Sequence, residues 1–342
     1  METKKAIFSI FFLVIGAWLF VFALKQTNLH QIALFLTSVF SWKFIALLIF
    51  GFFATVSISA WRDYVILKHQ KQKPRVKTIL SAELVGFAFS YLTPVTFAGG
   101  EPFRYAILRE KDNIPSSNAI SSIIIEKMIL FLMMVITFLV GICFFLIYIP
   151  LPYSVQLSLL LFLLVGMFVF LFFYYKTRKM IKNRGLLLWI LDKLFLSKVH
   201  KIKMHEEQIE EIEDQIVKFF FKRTKARFIV FLMSAIESII LLIFVWLCIY
   251  FVYAPISIGK LFVVNNANSL SSFMPLPAAL GASEISQSYV FHHLGLNQEL
   301  GITFSLLLRS IFLVFSVIGC IIFVACQIQD IKQKIAKLLK RR

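Results

Sequence analysis

The chain of 342 residues is 59% hydrophobic and only 16% charged, with 39 phenylalanines, a formal net charge of +18 and a mean hydropathy of +0.84. This balance excludes an ordinary soluble domain, which carries about 45–50% apolar and about 25% charged residues. The basic excess does not point to nucleic acid, because it gathers in the links between apolar runs and no nucleic-acid-binding motif accompanies it.

Taken in chain order, apolar runs are predicted near 6–24, 42–61, 79–98, 119–149, 154–175, 226–252, 257–280 and 302–326. Most are long enough to cross about 30 Å of hydrocarbon as helix. The first follows a short basic start without a small-residue cleavage site, so it reads as a membrane helix and not as a removed signal peptide. The third and seventh are less regular, with prolines, small residues and polar groups near their ends.

Lysine and arginine bias sets the expected orientation. The link 62–77 holds six basic residues (Arg62, Lys68, Lys71, Lys73, Arg75 and Lys77), the link 176–227 holds fourteen, and the tail from Lys332 to Arg342 holds six. Links near 25–41, 150–153 and 253–260 hold almost none and are expected outside, with both termini cytoplasmic. Segment 78–118 must then begin and end inside, and segment 253–301 must begin and end outside. The expectation is an all-α polytopic membrane protein with about six spanning helices and two re-entrant helical hairpins that enter from opposite faces.

Spacing supports an inverted repeat. Pro94 precedes Glu101 by seven residues and Pro277 precedes Glu284 by seven; Glu101 precedes Glu126 by 25 and Glu284 precedes Arg309 by 25. Broken helices in inverted repeats are a common way to build a transport site at mid-membrane. The predicted organisation is one membrane domain, 1–342, with repeat cores at 78–149 and 257–326. The link 176–227 carries an amphipathic cytoplasmic helix whose Ile209, Ile212, Ile216 and Phe219 share a face, with the acidic run Glu206–Asp214 solvated.

Charges inside apolar runs are the candidate functional residues, since each must find a partner, protein or water. Glu101 and Arg104 share a helical face, and Glu126 and Lys127 interrupt SSIIIEKMILFLMM. Glu284 and Arg309 form a matching pair in the second half. A polar cavity and a structural ion pair are both open for each group. Glu83 and Glu237 read as structural, and Asn265, Asn266 and Asn268 either satisfy loose backbone groups or line a cavity. Pro94, Gly99, Gly100, Pro277 and Gly281 are the expected structural turns. No metal spacing involves the histidines or Cys143, Cys248, Cys320 and Cys326, and no phosphate-binding glycine loop occurs, so no metal or cofactor is expected.

The stretch TP…GGEPFR at 93–104, followed by the membrane-embedded Glu126–Lys127, resembles the lysylphosphatidylglycerol synthase transmembrane-region family. PxxxGxxE at Pro277, Gly281 and Glu284, and the later Arg309, belong to the same signature. Members are flippase-like integral membrane proteins of bacteria and archaea. The resemblance implies a lipid flippase or transporter of the bacterial inner membrane, acting on an anionic or phosphate-bearing lipid headgroup through Glu101, Arg104, Glu126, Lys127, Glu284 and Arg309. The alternatives are a membrane-embedded enzyme acting on a lipid phosphate or lipid-linked sugar, and a non-catalytic partner of a lipid-modifying enzyme. Three departures stand out. The family usually has Glu-Arg at 126–127. It often has a glycine pair at 278–279, where alanines stand here, which makes the second turn less permissive. Members that make aminoacylated lipids carry a soluble catalytic domain after the membrane region; this chain ends at Arg342, so it is expected to be the translocating part alone.

Overall fold

A computed structural model describes residues 41–93, 99–149, 206–222 and 224–339, with a few positions between 153 and 164. The run at 6–24, most of that at 154–175, and Pro94 lie outside the described residues. Every regular element among them is helical: α1 (Trp42–His69), α2 (Val76–Leu92), α3 (Glu101–Asp112), α4 (Ser116–Tyr148), α5 (Glu206–Val217), α6 (Thr224–Val252), α7 (Ile258–Ser272), α8 (Ala282–His293) and α9 (Gln298–Leu339), with a π turn at Lys218–Lys222 and a 3-10 turn at Pro277–Ala279.

Among the described residues, four helices are long and apolar enough to cross a membrane: α1, α4, most of α6, and α9 as far as Cys326. Between 17% and 39% of their most apolar stretches is buried within the protein. The remainder presents side chains such as Phe50, Phe131, Phe228 and Ile321, each more than half exposed, as lipid-facing surface. The chain is a multi-pass membrane protein.

The other core helices are too short to span. α2 has 17 residues and α7 has 15, which is ~25 Å and ~22 Å of helix against a ~30 Å hydrocarbon core. Each ends at a break and is followed by a 12-residue helix, α3 or α8. Their order is alike in the two halves. A long helix (28 residues in α1, 29 in α6) precedes a short one, a break, a 12-residue helix and a long helix (33 residues in α4, 42 in α9). Packing crosses between the halves: α2 lies on α9, α7 lies on α4, and α1 lies on α6.

Local chemistry explains the breaks. α3 starts with Glu101, favoured by the exposed amides and dipole of a helix N-terminus, and a proline sits in its first turn, where no amide is needed. It stops at Asn113, whose φ of 53° is the left-handed cap that asparagine tolerates. Phe89 stacks on Phe103 with ring centroids 3.7 Å apart and pins α3 against α2. α5 buries Ile212, and Phe219 follows in the π turn, while Glu207, Glu210, Glu211 and Asp214 are exposed.

One expectation is overturned. Arg62, counted with the basic residues of the 62–77 link, lies inside α1 and is completely buried. The apolar run ending at 61 continues through Tyr64–Leu67, so helix and burial extend to His69.

Candidate functional site

The first site gathers where α1, α2, α3, α4 and α6 meet. Arg104 reaches back from α3 across the bare Cα of Gly86, where an added Cβ would stand 2.4 Å from Arg104 Cδ. Its Nη2 lies 2.5 Å from Asp63 Oδ2, 2.5 Å from Glu83 Oε1 and 2.5 Å from Glu126 Oε2. Its Nη1 lies 3.1 Å from Glu101 Oε2. Arg62 takes the other side of Glu126, with Nη2 2.7 Å from Oε1, and Nη1 donates to Glu237. Arg62 Nη2 also donates to Ser59 Oγ at 2.7 Å. At the rim, Lys127 Nζ pairs with Glu101 Oε1 at 2.6 Å; their side chains are 37% and 15% exposed.

Four sequence-predicted residues, Glu101, Arg104, Glu126 and Lys127, therefore belong to one cluster. Glu83 and Glu237 join them as partners of the two guanidiniums. Arg104 is not the partner of Glu101 alone: it serves four carboxylates. Asp63, Glu83 and Glu126 bring carboxylate oxygens within 4.8 Å of one another, close enough to hold a metal ion. Arg104 Nη2 already stands in that position, so a guanidinium supplies the positive charge there. Two unit negative charges ~4.8 Å apart would repel by ~3.5 kcal/mol at an effective dielectric of about 20. The arginine offsets this repulsion.

Glycines make the cluster compact. Gly100, expected as a turn residue, has a φ of −89°. What it provides is space, since a Cβ there would stand 1.8 Å from the Gly86 carbonyl oxygen. The Gly100 amide donates to Ser90 Oγ at 3.0 Å. Gly99 forms the turn beside it.

The second site lies between α8 and α9, at the other break. Glu284, fully buried, accepts from the Gly281 amide at 2.9 Å and pairs with Arg309 Nη2 at 2.7 Å. Ser305 Oγ donates to the same carboxylate at 3.2 Å. Arg309 Nη2 also donates to the Ala279 carbonyl at 3.3 Å, tying α9 to the turn. A small cavity of about 40 Å³ lies here, lined by Tyr91, Asn268, Ser272, Ser305 and Arg309 among others. Tyr91 comes from the end of α2, so the first half contributes to the second half's site. Asn266 instead satisfies the Phe138 carbonyl at 3.0 Å.

The second turn places alanines in backbone conformations that suit glycine. Ala278 and Ala279 both adopt left-handed backbone, with φ of 52° and 50°, ahead of Gly281 at 79°. A side chain costs about 1–2 kcal/mol there. Pro277 opens the turn. Corresponding places in the two halves carry different charge: Glu101 and Arg104 against Glu284 and Gln287, and Glu126 against Arg309. Gln287 is buried and donates to the Val264 carbonyl at 3.1 Å.

Reading the sequence missed Arg62, Asp63 and Tyr91. The signal for the first two was present, since WRDYVILKH resumes its apolar pattern after the charges and so places them within a helix.

Comparison with curated proteins and with solved structures finds no match for the chain. The family comparison does: residues 9–320 match the lysylphosphatidylglycerol synthase TM region. With nearly the whole chain matched, and with the two glutamate-marked breaks in the places described, the protein belongs to the lysylphosphatidylglycerol synthase transmembrane-region family.

Proposed function

We propose that the protein is a flippase that moves a phosphate-bearing lipid headgroup between the leaflets of the bacterial inner membrane, with both termini cytoplasmic. The observation that carries this reading is that each buried ion cluster sits beside a broken helix and well inside a spanning helix. Glu126 is about ten residues, or ~15 Å of helix, from Ser116, and Arg309 is about eleven, or ~16 Å, from Gln298. Charges at such depth are costly in lipid and are expected where polar substrate passes.

The matched order of α1–α4 and α6–α9, and their crossed packing, support an inverted repeat with two re-entrant hairpins. On this reading α2 and α3 enter from the cytoplasmic face, and α7 and α8 enter from the outer face. Lys127 and Arg309 are the cations placed to meet phosphate, Glu101 and Glu284 hold them in its absence, and Arg104 and Glu126 form the fixed centre of the first site. The acyl or isoprenoid chains stay in lipid.

A headgroup-accessibility assay in proteoliposomes, run across a panel of phospholipids and polyprenyl phosphates, tests this. Faster exchange for at least one lipid, lost in Arg309→Ala, is the expected result. No acceleration for any lipid with folded protein present would refute it, and a chemically altered lipid in the same vesicles would favour an enzyme instead.

A further inference from the structure

Among the described residues, the first cluster holds more carboxylates than cations. Asp63, Glu83, Glu101, Glu126 and Glu237 face Arg62, Arg104 and Lys127. Lys127 and Glu101 pair at the rim and cancel. Within them, four carboxylates share two guanidiniums, and a guanidinium stays charged at any working pH. With every carboxylate ionised, two negative charges would stand uncompensated in a membrane-embedded site. The carboxylates are the only adjustable members, so the deficit falls on them.

A second observation locates it. Asp63 is 1% exposed; its Oδ2 is held by Arg104, but its Oδ1 is buried with no hydrogen-bond partner among the described residues. A buried anionic oxygen without a donor is unfavourable, whereas a protonated one becomes a donor itself. Glu83 approaches the same guanidinium nitrogen at the same 2.5 Å, so the two carboxyls stand side by side on one cation. The charged groups facing the pair are Arg62 on α1, Glu101 and Arg104 on α3, Glu126 and Lys127 on α4, and Glu237 on α6. Three of these are cations and three are anions, so the surroundings leave the charge of the pair itself unmatched.

We propose that the Asp63–Glu83 pair carries an exchangeable proton, and that entry of an anionic headgroup is linked to its uptake, so that lipid movement is driven by a proton gradient. This rests on the flippase reading above. A phosphate arriving at Lys127 displaces Glu101 and adds negative charge to a site already in excess. Entry is favoured when a proton accompanies it. The proton comes from hydronium on one side and forms an O–H bond on Asp63 or Glu83 ahead of the headgroup; it returns to water on the other side as the headgroup leaves, and the emptied pair takes up the next proton. Binding of anion and of proton therefore strengthen one another reciprocally.

Two measurements on the purified full chain test this. The first needs no lipid substrate: infrared difference spectroscopy at neutral pH detects the carbonyl stretch of a protonated carboxylic acid. The band is expected in the native protein, altered in Asp63→Asn and in Glu83→Gln, and absent when both are replaced. Its absence from the folded native protein would overturn the proposal whatever the protein transports. The second uses phosphatidylglycerol vesicles with a headgroup-accessible reporter, a membrane potential clamped at zero and an imposed pH step. One proton per headgroup makes a step of about one pH unit shift the leaflet ratio about tenfold. Whatever movement remains when both Asp63→Asn and Glu83→Gln are present should no longer follow the step. Movement in the native protein that ignores the step would overturn proton coupling while leaving the flippase reading intact. A carboxyl band with no lipid movement at all would refute the flippase reading and the coupling with it.

Discussion

Replacing Arg62 by methionine tests whether the first cluster is held as described. Arg62 is fully buried, its Nη1 bonds Glu237, and its Nη2 bonds Glu126 Oε1 at 2.7 Å. Methionine keeps the apolar stem but strands Glu237 and leaves Glu126 to Arg104 alone. Breaking a buried pair by removing one partner costs about 3–5 kcal/mol, a large part of a total near 5–15 kcal/mol. Glu237→Gln added to Arg62→Met removes the charge that has been stranded. The double variant should regain a substantial share of the loss, with a coupling of about 0.5–3 kcal/mol between the positions. In a background with Cys143, Cys320 and Cys326 replaced, thermal unfolding in detergent at one fixed scan rate, followed by a thiol-reactive dye at the buried Cys248, measures both. An Arg62→Met protein as stable as the native one, or a double variant whose losses simply add, would refute the assignment of Arg62 to this cluster.

Three further outcomes follow from other parts of the fold. Ala278→Gly and Ala279→Gly should each raise stability by about 1 kcal/mol, because both positions have left-handed φ; a lower melting temperature in either would contradict the turn geometry. Gly100→Ala should destabilise by about 1–3 kcal/mol, since its Cβ would stand 1.8 Å from the Gly86 carbonyl, and Ser at the same place should do no better. In a background without native cysteines, Glu110→Cys should label from the cytoplasmic side and Gln298→Cys from the outer side, both being exposed positions; labelling from one side only would remove the oppositely entering hairpins.

Much of this architecture was legible because membrane burial enforces simple patterns. Four of the long apolar runs became spanning helices, and the two runs containing proline and small residues stopped short at Leu92 and Ser272. Glu101, Arg104, Glu126 and Lys127 could be linked in sequence because a charge among lipid-facing residues demands a partner. Which partner it takes was not legible. Arg62 and Asp63 lie at the end of an apolar run, where a composition window closes too early and the helix period continues. Glu83 and Glu237 read as structural, but their partners Arg104 and Arg62 were hidden because depth along a helix does not reveal which neighbour faces it. Tyr91 reached the second site only through packing between halves. The positive φ of Ala278 and Ala279 is invisible in their identity, because alanine ordinarily avoids that region.

Packing and charge together order the roles within the first site. Arg104 passes over Gly86, and the Gly100 backbone lies against the Gly86 carbonyl, so α2 and α3 touch where the carboxylates meet. A phosphate competing for Arg104 would have to draw the guanidinium from four carboxylates at once. Lys127 is different: its side chain is 37% exposed, and among the described residues it pairs with Glu101, itself partly exposed. On the proposed reading, phosphate exchanges with Glu101 at Lys127, while Arg104 remains the fixed post that keeps the hairpin closed. Lys127→Ala should then cost little stability, about 0–1 kcal/mol for a partly exposed pair, yet slow headgroup exchange markedly. Arg104→Ala strands Asp63, Glu83 and half of Glu126, so it should lower stability by at least about 3–5 kcal/mol, and Glu101→Gln should not rescue it. Melting curves and exchange rates measured on the same preparations separate the two. If Lys127→Ala exchanges headgroups at the native rate while Arg104→Ala is stable and inactive, the contact is Arg104, and the hairpin must open to admit the lipid.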